Sequence, residues 1–327
     1  LLMNTDNKTL KISQTLVVRP PDRSPKDIAK WRSAMMQADR GRRHTLINLY
    51  NDLLSSDNVL ADAVDKRIRN VTNAKLVFMK DSKEVDEMWD LIDTLEFEEF
   101  ITELMLTKFY GKTVIELDFT NCFNFTSIDR RHLDTENKCI LRSLADADGI
   151  PYNVEDDFLI NLGKDDDLGI YLRTAPYAIF KRNGGSDYAQ FCELFGIPQM
   201  AGYYDPEDDN GRREMETAFQ NRGAGASMTM SNKSKVETLG DRVNGNSDVH
   251  ERFLDWCDEQ MLIGVVSQTM TTKFGISYSQ GKVHGDVENE LNKADRRFIR
   301  RILNTYLLKK KKKRGYPVKG GFFDFIE

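Results

Sequence analysis

Cysteine and histidine are scarce in this 327-residue chain, with four of each. Cys122, Cys139, Cys192 and Cys257 lie far apart with no C-x-x-C pair. That argues against a zinc site and a disulfide framework and fits a reducing cytosol. His44, His132, His250 and His284 share no metal-ligand spacing. No apolar run approaches the length of a membrane-spanning helix, so no membrane partner is expected. The opening L-L-M-N-T-D-N-K lacks the basic-then-apolar pattern of a signal peptide. Nucleophile elbow, Walker loop and dinucleotide fingerprint are all missing. The hydroxyl-rich S-Q-T-M-T-T at 267–272 has no evident base beside it. The expectation is a non-enzymatic protein with no catalytic residues, no metal and no cofactor.

What is present is length and charge. The chain is 40% hydrophobic and 30% charged, long enough for a real core and two or three subdomains. A net charge of −5 says nothing about nucleic acid, but its distribution does. Residues 155–167 are acidic, whereas 296–314 hold ten Lys or Arg. The acidic run lacks the Gly and terminal Glu of a calcium loop. G-A-G-A at 223–226 is followed by no Lys-Ser/Thr and reads as a turn.

Periodicity supplies the elements. Pro20, Pro21 and Pro25 make residues 1–27 an extended arm, laid on a neighbouring subunit or disordered. Asp27 or Ser24 caps a helix through Arg40. Leu46, Leu49, Tyr50, Leu53 and Leu54 form one apolar stripe, and Leu60, Val64 and Ile68 continue it after a restart at Ser56 or Asp57. Arg67 and Arg69 read as solvated-face or interface charges. Ala74–Met79 alternates like a strand, residues 84–95 return to helix, and Phe97–Phe109 is a further amphipathic helix. Thr113–Phe119 is the clearest strand, with Glu116 and Asp118 on a solvent-facing side.

Residues 127–162 read as small β-structure broken by turns. Thr174 and Pro176 resemble a helix cap and first turn, and Gly184-Gly185 predicts a kink. Phe191, Leu194 and Phe195 share a helix face that Gly196 and Pro198 terminate before a strand at Met200–Tyr204. Residues 212–222 form a short helix, and Met228–Leu239 an extended run. Gly240–Ser247 is a polar loop before a long helix at 248–268 carrying Phe253, Trp256, Cys257 and Met261. Residues 269–284 read as loop. A last helix at 287–308 has Leu291, Ala294, Phe298, Ile302 and Tyr306 on one face, with Arg296, Arg297, Arg300 and Arg301 around the other. G-G-F-F-D-F-I-E then looks like a strand.

The order of these blocks resembles the portal proteins of Mu-like tailed bacteriophages. I-A-K-W-R-S-A-M-M-Q-A-D-R-G, G-K-T-V-I-E-L-D-F, F-C-E-L-F-G-I-P-Q-M-A-G-Y-Y and S-Q-T-M-T-T followed by V-H-G-D-V-E-N-E-L carry the likeness. It covers nearly the whole chain, and such proteins usually carry further sequence beyond F-F-D-F-I-E. The lysine run at 309–313 is no recognised family feature.

The resemblance implies an α+β, portal-type subunit with a mixed α/β wing, a helical stem, a small β-containing clip and a C-terminal helical crown side. Residues 1–27 would be the arm, 28–127 and 200–288 the wing, 128–168 the clip, 169–199 the stem helix and 289–327 the crown side. A tunnel loop near 240–250 would present Asp241, Arg242, Asn244 and Asn246. Lys181 and Arg182 would lie on the stem, and Arg296, Arg297, Arg300 and Arg301 near DNA. The implied partners are further copies, with a dodecamer expected, and double-stranded DNA passing non-specifically. The terminase large subunit and neck, adaptor and capsid proteins complete the list. The implied place is the virion, at the portal vertex of the capsid, with the host cytoplasm during assembly. A conduit must not grip the duplex, because each neutralised phosphate adds affinity that has to be broken at every step. The alternative from the residues themselves is a nucleic-acid-binding or remodelling factor that uses 296–314.

Overall fold

Local capping starts several of the helices. In the computed structural model, Asp27 accepts from the Lys30 amide at 2.7 Å and opens α1 (Ile28–Asp39). Helix α2 (His44–Ser56) buries Leu46, Leu49, Tyr50 and Leu53. Asp57 accepts from the Leu60 amide and starts α3 (Asn58–Thr72), which buries Leu60, Val64 and Ile68. Strands β1 (Leu76–Lys80) and β2 (Lys83–Glu84) follow, then the single turn α4 (Trp89–Ile92). Of the helix expected over 84–95, Trp89–Ile92 forms one turn and Leu95 opens the next helix, while Glu84 belongs to β2 and Asp93–Thr94 separate the two helices. Thr94 caps α5 (Leu95–Tyr110), and Gly111, at φ 83°, ends it in a backbone state that favours glycine. The structure describes residues 11–20, 27–81, 83–85, 88–119, 123–153, 157–195, 200–203, 208–220, 235–238, 247–267, 278–316, 318 and 320–326.

Two compact units make up the chain: Leu1–Phe180 with Cys257–Glu327, and Lys181–Trp256. The first holds three small antiparallel sheets among the described residues. Strand β3 (Thr113–Asp118) lies between β4 (Asn124–Ser127) and β8 (Leu159–Leu162), with Glu116 opposite Thr126 and Leu159. Strands β5 (Leu133–Asp134), β6 (Cys139–Leu141) and β7 (Gly149–Pro151) form the second sheet. The C-terminal strand β11 (Gly321–Phe325) pairs with β1, Phe323 facing Phe78.

Glu116 is not solvent-facing. It is buried, and its carboxylate accepts from the Ile12 and Ser13 amides at 2.9 and 3.1 Å and from the Ser13 hydroxyl at 3.0 Å. Asp118 on the same side pairs with Lys11. The described part of the arm, 11–20, therefore packs on its own chain, with Ile12 buried and the Val17 amide bonded to the Arg142 carbonyl. A carboxylate that looks exposed by alternation is instead the acceptor that ties down this segment.

The main core gathers α2, α3, α5, β1, β3 and β8 around Phe97, Phe100, Phe109 and Leu104. Phe78, Phe97, Phe100, Phe123 and Phe323 meet ring to ring, with centroid separations from 5.2 to 6.1 Å. Burying each such ring contributes about 1.5–3 kcal/mol. A smaller cluster of Ile12, Val114, Ile128, Leu133, Ile140, Tyr152 and Leu159 supports the other face of β3.

Helix α6 (Tyr171–Phe195) runs unbroken through Gly184 and Gly185, so the expected kink is absent. It also starts before the expected cap, leaving Pro176 inside it. Tyr171 explains the early start: its buried ring packs against Tyr50, Phe109 and Tyr110 at 4.9–5.5 Å. Gly184 has a packing role, because a Cβ there would sit 2.9 Å from the Phe253 ring. A larger residue would collide with that ring, although glycine itself costs a helix about 1 kcal/mol relative to alanine.

In the second unit β9 (Met200–Tyr203) pairs with β10 (Lys235–Thr238), and α7 (Asp209–Gln220) stands near the expected position. Helix α8 (Ser247–Val266) matches the expected long helix. Helix α9 (Tyr278–Ile302) begins well before Val287, so part of the expected loop is helical. A π-helical turn, Leu303–Leu307, joins it to α10 (Leu308–Lys313).

Candidate functional surface

Helix α9 is oriented by a buried charge. Asp295 is fully buried and accepts from Arg67 through Nε at 2.6 Å and Nη2 at 3.0 Å, and from Lys108. Arg67 also donates to the Val265 carbonyl at 2.8 Å and lies over the Phe109 ring. The reading of Arg67 as a surface charge is therefore overturned: it crosslinks α3 to α9. The inward face of α9 is Asp295, Ile299 and Ile302, whereas Ala294 is exposed and Leu291 and Phe298 are half-buried. The expected stripe was rotated, since periodicity of apolar residues alone passes over an aspartate that faces the core.

The π turn shifts the phase again. Its extra residue per turn leaves Tyr306 39% exposed and turns Leu303, Leu307 and Leu308 inward. It also aims Asn304 at β11: the Asn304 Nδ2 donates to the Phe323 carbonyl at 2.9 Å, and the Phe323 amide donates to Oδ1 at 2.7 Å. The side-chain amide thereby covers part of a strand edge.

Nine of the ten basic residues of 296–314 separate into four groups. Arg296 is half-buried beside the Asn70 carbonyl at 3.4 Å, and Arg300 pairs with Asp324 at 3.0 Å. Arg297 and Arg301 are exposed. Lys293, Arg296, Arg297, Arg300, Asp324 and Phe325 line a hollow of about 230 Å³. In α10 the lysine run is structural in part. Lys311 is buried over the Tyr316 and Phe123 rings at 4.6 and 5.3 Å, and Arg314 lies over Phe119 and Phe158 at 4.1 and 4.5 Å. Lys309, Lys310 and Lys313 instead border a groove of about 400 Å³ with Asp157, Asn161 and Tyr306. Lys313 donates to Asp157 at 2.7 Å, and that hydrogen bond holds the Asp157 carboxyl below its ordinary value.

The acidic run is likewise partly neutralised. Asp165 accepts from Lys112 at 2.6 Å and from the Tyr152 hydroxyl at 2.9 Å, and Arg43 donates to its carbonyl at 2.7 Å. Burial pushes the Asp165 carboxyl up, but the bonds from Lys112 and Tyr152 outweigh it and the pKa falls. Burial lowers Lys112 and Arg43. This knot fastens the segment between β8 and α6 to the Gly111–Lys112 turn. Three left-handed glycines make it possible: a Cβ on Gly111, Gly163 or Gly169 would lie 1.9–2.1 Å from a backbone oxygen of a neighbouring segment.

Lys181 and Arg182 are half-buried on α6. The tunnel-loop candidates Asp241, Arg242, Asn244 and Asn246 lie outside the described residues, as do Thr269–Thr272. In α8, Cys257 and Met261 are fully buried, while Val249, Phe253 and Trp256 are exposed. Phe253 and Trp256 stack at 6.0 Å, and His250 stacks on Tyr188 at 5.7 Å. Among the described residues no group of three or more His, Cys, Asp or Glu could hold a metal ion, and no helix is long and apolar enough to cross a membrane. Sequence reading missed Asp295, Lys108, Asn304 and Asp165. The signal available for Asp295 was an acid placed directly before the arginines at 296, 297, 300 and 301.

The α+β fold is found in solved particles. A chain in the virion of a native gene transfer agent particle superposes with a TM-score of 0.63 at 12% identity, covering 91% of this chain and 89% of that one. A chain in the neck of the native gene transfer agent particle, computed with C12 symmetry, gives 0.58 at 11% identity, with the same coverage. The sequence model described as "Portal protein of Mu bacteriophage" matches residues 47–327. The chain belongs to this Mu portal protein family. It is 29% identical over 137 residues to the portal protein of Escherichia phage Mu. That match spans 40% of this chain and 26% of the phage protein.

Proposed function

We propose that this chain is the subunit of a portal: a ring at one vertex of a phage or prophage capsid through which double-stranded DNA is packaged and ejected. The family match over residues 47–327 carries this reading. The expected stoichiometry is twelve, supported by the C12 neck that contains a similar fold. On this reading the work is conduit and docking rather than turnover. DNA passes without sequence preference, and the terminase large subunit, neck or adaptor proteins and capsid proteins are the partners. Residues 28–127 and 200–288 would form the wing, 128–168 the clip, 169–199 the stem, 240–250 the tunnel loop and 289–327 the crown side. The continuous α6 suits a stem, and the charge pairing of Asp157 and Asp165 suits a surface that does not hold phosphate tightly. Electron microscopy of the purified chain should show closed rings, and a persistent monomer under assembly conditions would count against the portal.

A second reading rests on the exposure of Arg297, Arg301 and Lys309. It makes the C-terminal helices a nucleic-acid-binding face of a peripheral factor. Salt-dependent DNA binding by an isolated monomer, lost on replacing Lys309, Lys310 and Lys313, would favour it.

A further inference from the structure

The first half of α8 carries a face of large, exposed side chains. Val249, Phe253 and Trp256 stand at i, i+4 and i+7, so they share one side of the helix. They are 64%, 38% and 43% exposed, and the rings of Phe253 and Trp256 stack on each other. Asp248, Glu251 and Asp255 are exposed on the same turns, and although Arg252 pairs with Asp248 at 3.8 Å, the rim of the apolar face stays acidic in balance.

Elsewhere on the chain lies a surface of opposite charge. Arg297 and Arg301 are exposed on α9, beside the hollow of about 230 Å³ formed by Lys293, Arg296, Arg297, Arg300, Asp324 and Phe325. Exposed Phe322 on the adjoining strand and Ile326 just beyond its end add apolar area. Arginine planes lining a concavity accept both a carboxylate, through paired N–H donors, and an indole, through its π face. Tryptophan and arginine are also the residues that most often dominate protein–protein contacts.

We propose that the aromatic and acidic face of α8, around Phe253 and Trp256, docks against the arginine-lined hollow of α9 in a second copy of this chain. The inference rests on the ring reading above and names the surfaces that would close the ring. The two patches differ, so the contact is heterologous: each copy offers one patch to each neighbour. Repetition of such a contact about a closing axis generates a ring rather than a two-fold dimer.

Charge reversal tests this on the full chain. Sedimentation velocity is used to compare wild type, E251R/D255R, R297E/R301E and the four-substitution combination. All the altered residues are exposed, and circular dichroism checks that each variant is folded. Each double variant should raise the concentration needed for assembly by about tenfold or more, and the combination should recover a large part of that loss because the charges are exchanged. Trp256→Ala should also weaken assembly while leaving the salt dependence unchanged. Rings formed by both double variants at the wild-type concentration would overturn this inference and leave the portal reading intact. A wild-type chain that never assembles would overturn both. If R297E/R301E assembles normally but loses retention of a short DNA duplex, the basic face serves nucleic acid and the inference is wrong.

Discussion

Replacing Asp295 by Ala should be among the most damaging single changes in the larger unit. The carboxylate is fully buried and takes three charge-assisted hydrogen bonds, two from Arg67 and one from Lys108. Its removal leaves two cations facing one another, with Arg67 itself buried and held in place by the Val265 carbonyl. Breaking a buried pair from one side costs about 3–5 kcal/mol, because the remaining charge loses its partner without regaining water. Here two cations are orphaned, although Lys108 is 23% exposed and can turn toward solvent, which holds the expectation at about 4 kcal/mol. Against a total stability of about 5–15 kcal/mol, that is a large share. Urea unfolding followed by circular dichroism reads the change, and Asp295→Asn should recover part of it by keeping the volume and one acceptor. The triple replacement Arg67→Met, Lys108→Met, Asp295→Leu should return to within about 2 kcal/mol of wild type, since no unpaired charge remains. If Asp295→Ala costs less than about 1 kcal/mol, the network is a surface-like pair and the account of how α9 is oriented fails.

Four other outcomes are expected. Gly111→Ala should cost at least about 2 kcal/mol, combining a left-handed backbone with a clash on the Asp167 carbonyl, whereas Gly185→Ala, with open space around it, should stabilise α6 by about 0.5–1 kcal/mol; thermal melts of the two separate these effects. Because the folded pKa of Asp165 is lowered, its stabilisation is complete above the ordinary carboxylate value of 3.8 and is lost as pH falls through the lower folded value; Asp165→Asn should flatten the melting temperature between about pH 5 and about pH 2. Asn304→Ala should cost about 1–3 kcal/mol and speed hydrogen exchange at the Phe323 amide, and an unchanged exchange rate would show that the edge is covered by something else. Shortening Asp241–Asn246 to a Gly-Ser link should leave rings intact and reduce DNA packaged per particle, a result that normal packaging would contradict.

The parts of this protein that the sequence determined by itself are those governed by near neighbours. Asp27, Asp57 and Thr94 cap the helices that follow them because the acceptor and the amide lie three residues apart. The stripes of α2 and α3 and the strand at Thr113–Asp118 follow from periods of 3.6 and 2 residues. The likeness to Mu-like portals was legible for the same reason, as an order of such blocks along the chain. Tertiary structure alone decided which charges are buried. Arg67 and Asp295 are 228 positions apart, Glu116 and Ile12 are 104, and Lys313 and Asp157 are 156. A charged residue reads as solvated until the fold brings its partner, since burial of the ion is tolerable only once that partner is in place. The phase of α9, the turn that carries Asn304 to Phe323 and the inward lysine of α10 all follow from such distant pairings, and local spacing does not encode them.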